Sequence, residues 1–190
     1  MIRSFIALEL NDQETKDKIQ SYGKRLKSNQ PNLKLVEPQN LHMTVKFLGN
    51  IKESLAPKIY KILTEEINEK MFQDKTYEFK LKGTGQFRKY SVIWIKLIGN
   101  LQFLQDIKDN VESLLNQQLK IERDKRSKIT PHLTIGRLKP NKINYKNFDS
   151  FKNLLIDNKN LEFGSFNIRE VKLKKSVLTP KGPIYLDLVF

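Results

Sequence analysis

Ile129-Thr130-Pro131-His132-Leu133-Thr134-Ile135-Gly136-Arg137 is the stretch on which the fold turns. Leu133 and Ile135 alternate with His132 and Thr134, the period-two pattern of a half-buried strand. Residues two apart share a strand face, so His132 projects beside the Thr134 hydroxyl, away from the aliphatic side. Pro131 lacks a backbone N–H and suits a strand start or edge. Ninety residues earlier stands an echo, Leu41-His42-Met43-Thr44-Val45-Lys46-Phe47-Leu48-Gly49, with Met43, Val45 and Phe47 set against His42, Thr44 and Lys46. These are the chain's 2 histidines, and both occupy the tetrapeptide His-x-Thr-aliphatic. One such tetrapeptide is an ordinary polar strand face. Two, with the same parity and using every histidine, predict that the imidazoles meet across a site.

The segments between the motifs support that reading. Residues 2–10 read as a strand. Asn11 with Glu14 reads as a helix start, and helical spacing runs to about residue 28. Leu33 to Val36 is a short extended piece, and the first histidine strand ends at Gly49-Asn50. Ser54 is placed to cap a helix carrying Leu55, Ile59, Ile62, Leu63 and Ile67, followed by a strand from Thr76 to about Leu81 and a loop Gly83-Thr84-Gly85. The cycle then restarts. Val92 to Ile98 is a strand, Gly99-Asn100 opens a helix, a basic loop leads into the second histidine strand, and Asn147 is placed to cap a shorter helix. One or two strands span Phe163 to Val177, Pro180-Lys181-Gly182-Pro183 makes a tight turn, and a strand closes the chain from Ile184. The order strand, helix, histidine strand, helix, strand occurs twice. The expectation is an α+β fold built as a bilobal duplication, roughly 1–88 and 89–190 within a single 190-residue domain, with two antiparallel sheets backed by helices and one motif from each lobe in a central cleft.

Composition narrows the chemistry. With 0 cysteines there is no thiolate nucleophile, disulfide or thiolate zinc site. No His-x-x-x-His or Glu-x-x-His spacing invites a metal, so no cofactor is expected. No apolar run approaches the ~20 residues of a membrane span, and Glu9 interrupts the N-terminal apolar segment too early for a signal peptide; a cytoplasmic location without membrane association is expected. The formal charge of +14 favours a polyanion such as nucleic acid, although lysine scattered among asparagine is also what compositional bias produces. The cluster Arg123, Lys125, Arg126 and Lys128 is expected at the rim of whatever His132 faces.

Two imidazoles flanking one ligand can act in complementary states, one accepting a proton from the nucleophile and the other protonating the leaving group. The hydroxyls of Thr44 and Thr134 can donate to anionic oxygens. Lys46 and Arg137 add positive charge, and the guanidinium fork suits phosphate. Arg137 lies five residues after His132, on the opposite face of an ideal strand, and reaches the site only through a bend or bulge near Gly136. The residues by themselves describe a phosphodiesterase working by paired histidines.

Asn40 to Gly49, Pro131 to Arg137, the opening Arg3-Ser4-Phe5-Ile6-Ala7, and Ser176-Val177-Leu178 with Gly182-Pro183-Ile184-Tyr185 together resemble the 2H phosphoesterases, in particular the RNA 2′,3′-cyclic phosphodiesterases, also called 2′-5′ RNA ligases (ThpR/LigT group). The resemblance implies hydrolysis of an RNA 2′,3′-cyclic phosphate to a 2′-phosphomonoester. It implies His42 as proton donor, His132 as proton acceptor, and Thr44, Thr134 and Arg137 as phosphate contacts. It also implies RNA with a cyclic phosphate end as partner, tRNA fragments among the candidates, and a monomer. Two rival readings remain at this stage: a ligase that uses a 5′-hydroxyl in place of water, and a non-catalytic RNA-binding module.

Overall fold

The computed structural model describes residues 1–180 and 182–190, and the turn expected at Pro180 to Pro183 includes the one residue outside that set. Among the described residues, nine strands form two antiparallel sheets. The first contains β1 (Ile2–Glu9), β3 (His42–Ile51), β8 (Lys172–Thr179) and β9 (Gly182–Asp187), in the order β3-β1-β8-β9. The second contains β2 (Lys34–Leu35), β4 (Tyr77–Phe87), β5 (Val92–Ile98), β6 (His132–Arg137) and β7 (Glu162–Ile168), in the order β2-β6-β5-β4-β7. Among the described residues no helix is long and apolar enough to cross a membrane.

Neither sheet is confined to one half of the chain. β4 forms a hairpin with β5 across residue 89, and β8 returns from the far end of the chain to lie against β1. The helices cross over as well. α1 (Gln13–Asn29) follows a strand of the first sheet but packs on β7 and β2 of the second, beside α4 (Phe148–Asp157). α3 (Leu101–Leu119) follows a strand of the second sheet but packs on β3 of the first, beside α2 (Ala56–Ile62) and the π-helical continuation Leu63–Phe72. One contiguous apolar core therefore runs through both sheets, from Ile6 and Leu8 to Ile93, Ile95 and Leu133.

Several local expectations shift by a residue or more, for identifiable reasons. The first helix is capped by Asp12, whose carboxylate accepts from the Thr15 amide at 2.7 Å, and not by Asn11. Ser54 makes no cap, because a 3₁₀ turn over Glu53–Leu55 leads directly into α2. Asn147 makes none either; Asn144 caps the preceding 3₁₀ turn instead. Gly49 does not end β3, which continues to Ile51 with Gly49 paired to Ser4 at φ +69°. Gly83 to Gly85 is an irregular stretch within β4. A Cβ on Gly83 would lie 2.3 Å from the Lys159 carbonyl oxygen, and one on Gly85 2.2 Å from the Trp94 ring. Both glycines serve close approach within a continuing strand.

Candidate active site

β3 is the edge strand of the first sheet and packs against β6 of the second, so the two motifs run side by side between the sheets. Both histidines are anchored alike. The His42 ring donates from Nδ1 to the carbonyl of Asn40 at 2.6 Å, and the His132 ring from Nδ1 to the carbonyl of Thr130, also at 2.6 Å. A carbonyl can only accept, so each Nδ1 carries the proton and each Nε2 is left free for chemistry. The two carbonyls are themselves held in place. Asn40 ends a 3₁₀ turn and its amide donates to the Pro183 carbonyl at 3.1 Å. The approach to Thr130 is pinned by Gln105 of α3, which accepts from the Ile129 amide at 2.8 Å and donates to the Ser127 carbonyl at 3.0 Å.

Each ring also rests on aromatic neighbours. His42 lies 5.0 Å from Phe5 and edge-on to Tyr185 at 5.3 Å. His132 lies edge-on to Phe87 at 5.0 Å, with Trp94 at 6.4 Å. None of these four was singled out for the site in the sequence. The register carries the missing signal: Phe5 pairs with Phe47, and Trp94 with Thr134. Burial drives both imidazoles toward the neutral form. It takes His42 down to about 4, against the opposing hydrogen bond to Asn40, with Lys174 and Arg137 adding to the fall and Glu9 resisting it. His132 is lowered by burial too, with a further push from Arg137.

Both motif strands carry a bulge at the same place. Ala7 faces Thr44 but Ile6 faces Lys46, which leaves Val45 as the extra residue; Trp94 faces Thr134 but Ile93 faces Gly136, which leaves Ile135. Side-chain parity reverses beyond each bulge, with two consequences. Lys46, expected beside the site, points instead into the core side and is 2% exposed. It donates to Glu112 at 2.9 and 3.0 Å, to the Glu122 carbonyl at 2.9 Å and to Asp124 at 3.0 Å, in a cluster completed by Lys108. Phe47, expected in the core, is 68% exposed on the histidine face. At the matching position of β6, Arg137 turns onto the face of His132 and Thr134. Its charge acts on His132, on His42 across the sheets, and on Tyr185. Of the basic cluster expected at the rim, Arg123 turns back to Ser113 of α3 at 3.3 Å, while Lys125, Arg126 and Lys128 are exposed.

The charges behind His42 are balanced. Glu9 is the register partner of His42, and it forms ion pairs with Lys172 and Lys174, both of which also pair with Asp187. Glu170 is a further partner of Lys172, so carboxylates offset both ammonium groups beside the imidazole, and Arg137 adds positive charge toward both rings.

Two histidines with free Nε2 atoms on adjoining strands, each followed by a threonine on the same face, define a two-histidine phosphoesterase architecture. Comparison with known proteins agrees. Residues 4–185 match the model of the AKAP7 2′5′ RNA ligase-like domain. The chain is 32% identical over 191 residues to an RNA 2′,3′-cyclic phosphodiesterase of Methanothermobacter thermautotrophicus, covering 98% of this chain and 96% of the relative. It is 35% identical over 187 residues to one of Methanocaldococcus jannaschii, covering 97% and 96%. Escherichia coli LigT complexed with 3′-AMP superposes with a TM-score of 0.66 at 19% identity, over 99% of this chain and 95% of that one, a likeness of fold. The chain belongs to the 2H phosphoesterases, in the ThpR/LigT family.

Proposed function

We propose that this chain is an RNA 2′,3′-cyclic phosphodiesterase that hydrolyses the cyclic terminus to a 2′-phosphomonoester. The observation that carries the reading is the matched anchoring of the two imidazoles, Nδ1 to carbonyl at 2.6 Å in both, on adjoining strands under the charge of one arginine. The relatives named above bear this activity in their names. His132 Nε2 takes a proton from water as the oxygen attacks phosphorus. The bond from phosphorus to O3′ breaks, and His42 gives its Nε2 proton to the departing oxygen. Free of ligand, both rings favour the neutral state. The phosphate anion supplies the charge that holds His42 protonated in the complex. Thr44, Thr134 and Arg137 bind the non-bridging oxygens. Phe47, exposed on the same face, offers a stacking surface to the base.

Both motifs lie on one chain, so a monomer suffices; tRNA fragments in the cytoplasm are one source of such ends. A second reading, favoured by the ligase-like character of the matching domain, puts a 5′-hydroxyl in the place of water and uses the same residues. The deciding experiment incubates the protein, with chelator present, with a short RNA ending in a 2′,3′-cyclic phosphate, alone and with a 5′-hydroxyl acceptor. A 2′-phosphate end is expected. A 3′-phosphate, or no product, would overturn the assignment, and a 2′-5′ linked product would move it to ligation.

A further inference from the structure

The turn that joins β4 to β5 holds three successive non-glycine residues in the left-handed region, Arg88 (φ 52°), Lys89 (φ 52°) and Tyr90 (φ 69°). Side chains disfavour this conformation, and it persists only where the surroundings impose it. Here they do. The Tyr90 amide donates to the Gln86 side chain at 2.8 Å, and the Tyr90 ring packs edge-on to Phe148 at 5.2 Å and Phe151 at 6.2 Å. The Ser91 carbonyl accepts from the Leu138 amide at 3.1 Å, one residue beyond Arg137. Asparagine or glycine would make such a turn with little strain, yet this one is built from two cations and an aromatic anchor, with both cations exposed.

The register places the turn relative to the site. From the row of Lys96 and His132, the site face of the second sheet passes Trp94 and Thr134, then Val92 and Arg137, and then reaches the turn. The residue just before the turn is Phe87, which touches His132. On the first sheet the face passes from Glu9 and His42 through Ala7 and Thr44 to Phe5 and Phe47. Arg3, two residues before Phe5, and Arg137 both act on Tyr185. Arg3, Arg137, Arg88 and Lys89 thus gather at one end of the site, while at the other end Lys172 and Lys174 are tied to Glu9, Asp187 and Glu170, and Lys96 and Lys128 are exposed.

We infer that the RNA strand on the 5′ side of the reacting nucleotide leaves the site over this turn, its phosphates held by Arg88 and Lys89. The inference rests on the phosphodiesterase reading for its substrate. The cyclic phosphate ends the chain, so the strand has one continuation, and Arg88 and Lys89 are exposed cations held on an imposed backbone beside Phe87, where a polyanion meets them without the cost of ordering a loop.

The test compares the full-length protein with an Arg88→Asn/Lys89→Asn variant. Asparagine removes the charges but tolerates the left-handed backbone. A Lys58→Asn/Lys61→Asn variant, exposed on α2 behind the first sheet, controls for net charge. Substrates are adenosine 2′,3′-cyclic phosphate and a hexaribonucleotide with the same cyclic end. The turn variant is expected to lower the hexamer-to-mononucleotide ratio of kcat/KM by about tenfold and to flatten the salt dependence of the hexamer by up to about 1.4 log units per log unit of salt, two single-strand phosphate contacts. The control should move neither. Equal losses on both substrates, or an unchanged ratio, would overturn the inference. Anisotropy binding of the hexamer ending in a 2′-phosphate reads the same contact without turnover. Weaker binding by the turn variant alone upholds the strand path even if hydrolysis fails, and equal binding by all three proteins removes it even if hydrolysis stands.

Discussion

An imidazole that has lost its proton cannot protonate a leaving group, and this sets the pH behaviour of the pair. In the free protein His42 is pushed down to about 4 and His132 below its ordinary 6.5. The productive state, His42 charged and His132 neutral, is the minor of the two singly protonated forms, because His42 is the more strongly lowered ring; its population still peaks where the pair holds one proton, above about 4 and below 6.5, and kcat/KM reports the free enzyme. The optimum of kcat/KM is therefore expected on the acid side of pH 6.5, falling toward pH 8. That of kcat should lie higher, because bound phosphate stabilises the imidazolium. Rate profiles from pH 4 to 9 with chemistry limiting check this, and a kcat/KM maximum above pH 7.5 would contradict it. Substitution separates the roles. His42→Ala or His132→Ala should cost at least ~10²-fold in kcat. Thr44→Val and Thr134→Val each remove one bond to a charged oxygen, worth about 1.5–3 kcal/mol. Arg137→Lys should fall below wild type and Arg137→Ala lower still, since lysine keeps the charge without the fork. Steady-state kinetics that left Arg137 variants at wild-type rates would remove it from the site and leave the histidines standing.

At the scale of elements the two bulges decide what each motif displays. Nothing in Thr44-Val45-Lys46 announces the first, because a bulge of this kind asks for no special residue at its centre; Gly136 marked the second only as a place where a bend or bulge could fall. Such a bulge arises where partner strands pair on both sides with unequal spacing. Reading alternation straight through therefore placed Lys46 in the site and Phe47 in the core, and both are reversed. Lys46 is instead a fastener between β3, α3 and the loop that leads to His132. All three of its N–H donors are used, and Glu112 and Asp124 are left to share Lys108 if it is removed. Lys46→Met should destabilise the fold by about 3–5 kcal/mol, the cost of orphaning buried charge, while KM of the folded protein stays near wild type. Denaturant unfolding and saturation kinetics read the two separately; a raised KM with unchanged stability would restore Lys46 to the substrate.

Across the whole molecule, elements are exchanged between the halves, which predicts that neither half folds alone. Residues 1–88 contain two strands of the first sheet, but β8 and β9 lie in 89–190, and β4 is paired with β5 on the far side of the cut. Helix α1 leaves with one half while β6 and β7, two of the strands it packs on, leave with the other. Fragments 1–88 and 89–190 should each lack cooperative unfolding by circular dichroism and regain it on mixing. A fragment that melted cooperatively by itself would show that one half is a domain.

The alternation of apolar residues, the paired His-x-Thr motifs, the absence of cysteine and the order of elements were all local or countable, and the sequence by itself determined them. They were enough for an α+β fold of two antiparallel sheets and for marking the two histidines as a candidate pair, because strand periodicity and residue type are properties of short segments. Tertiary structure decided the rest: which strands join which sheet, which way Lys46, Phe47 and Arg137 point, and which aromatic rings meet the imidazoles. It also decided that burial pushes both histidines toward the neutral form. Pairing register, burial and electric field are set by residues distant in the chain, and no window of sequence contains them.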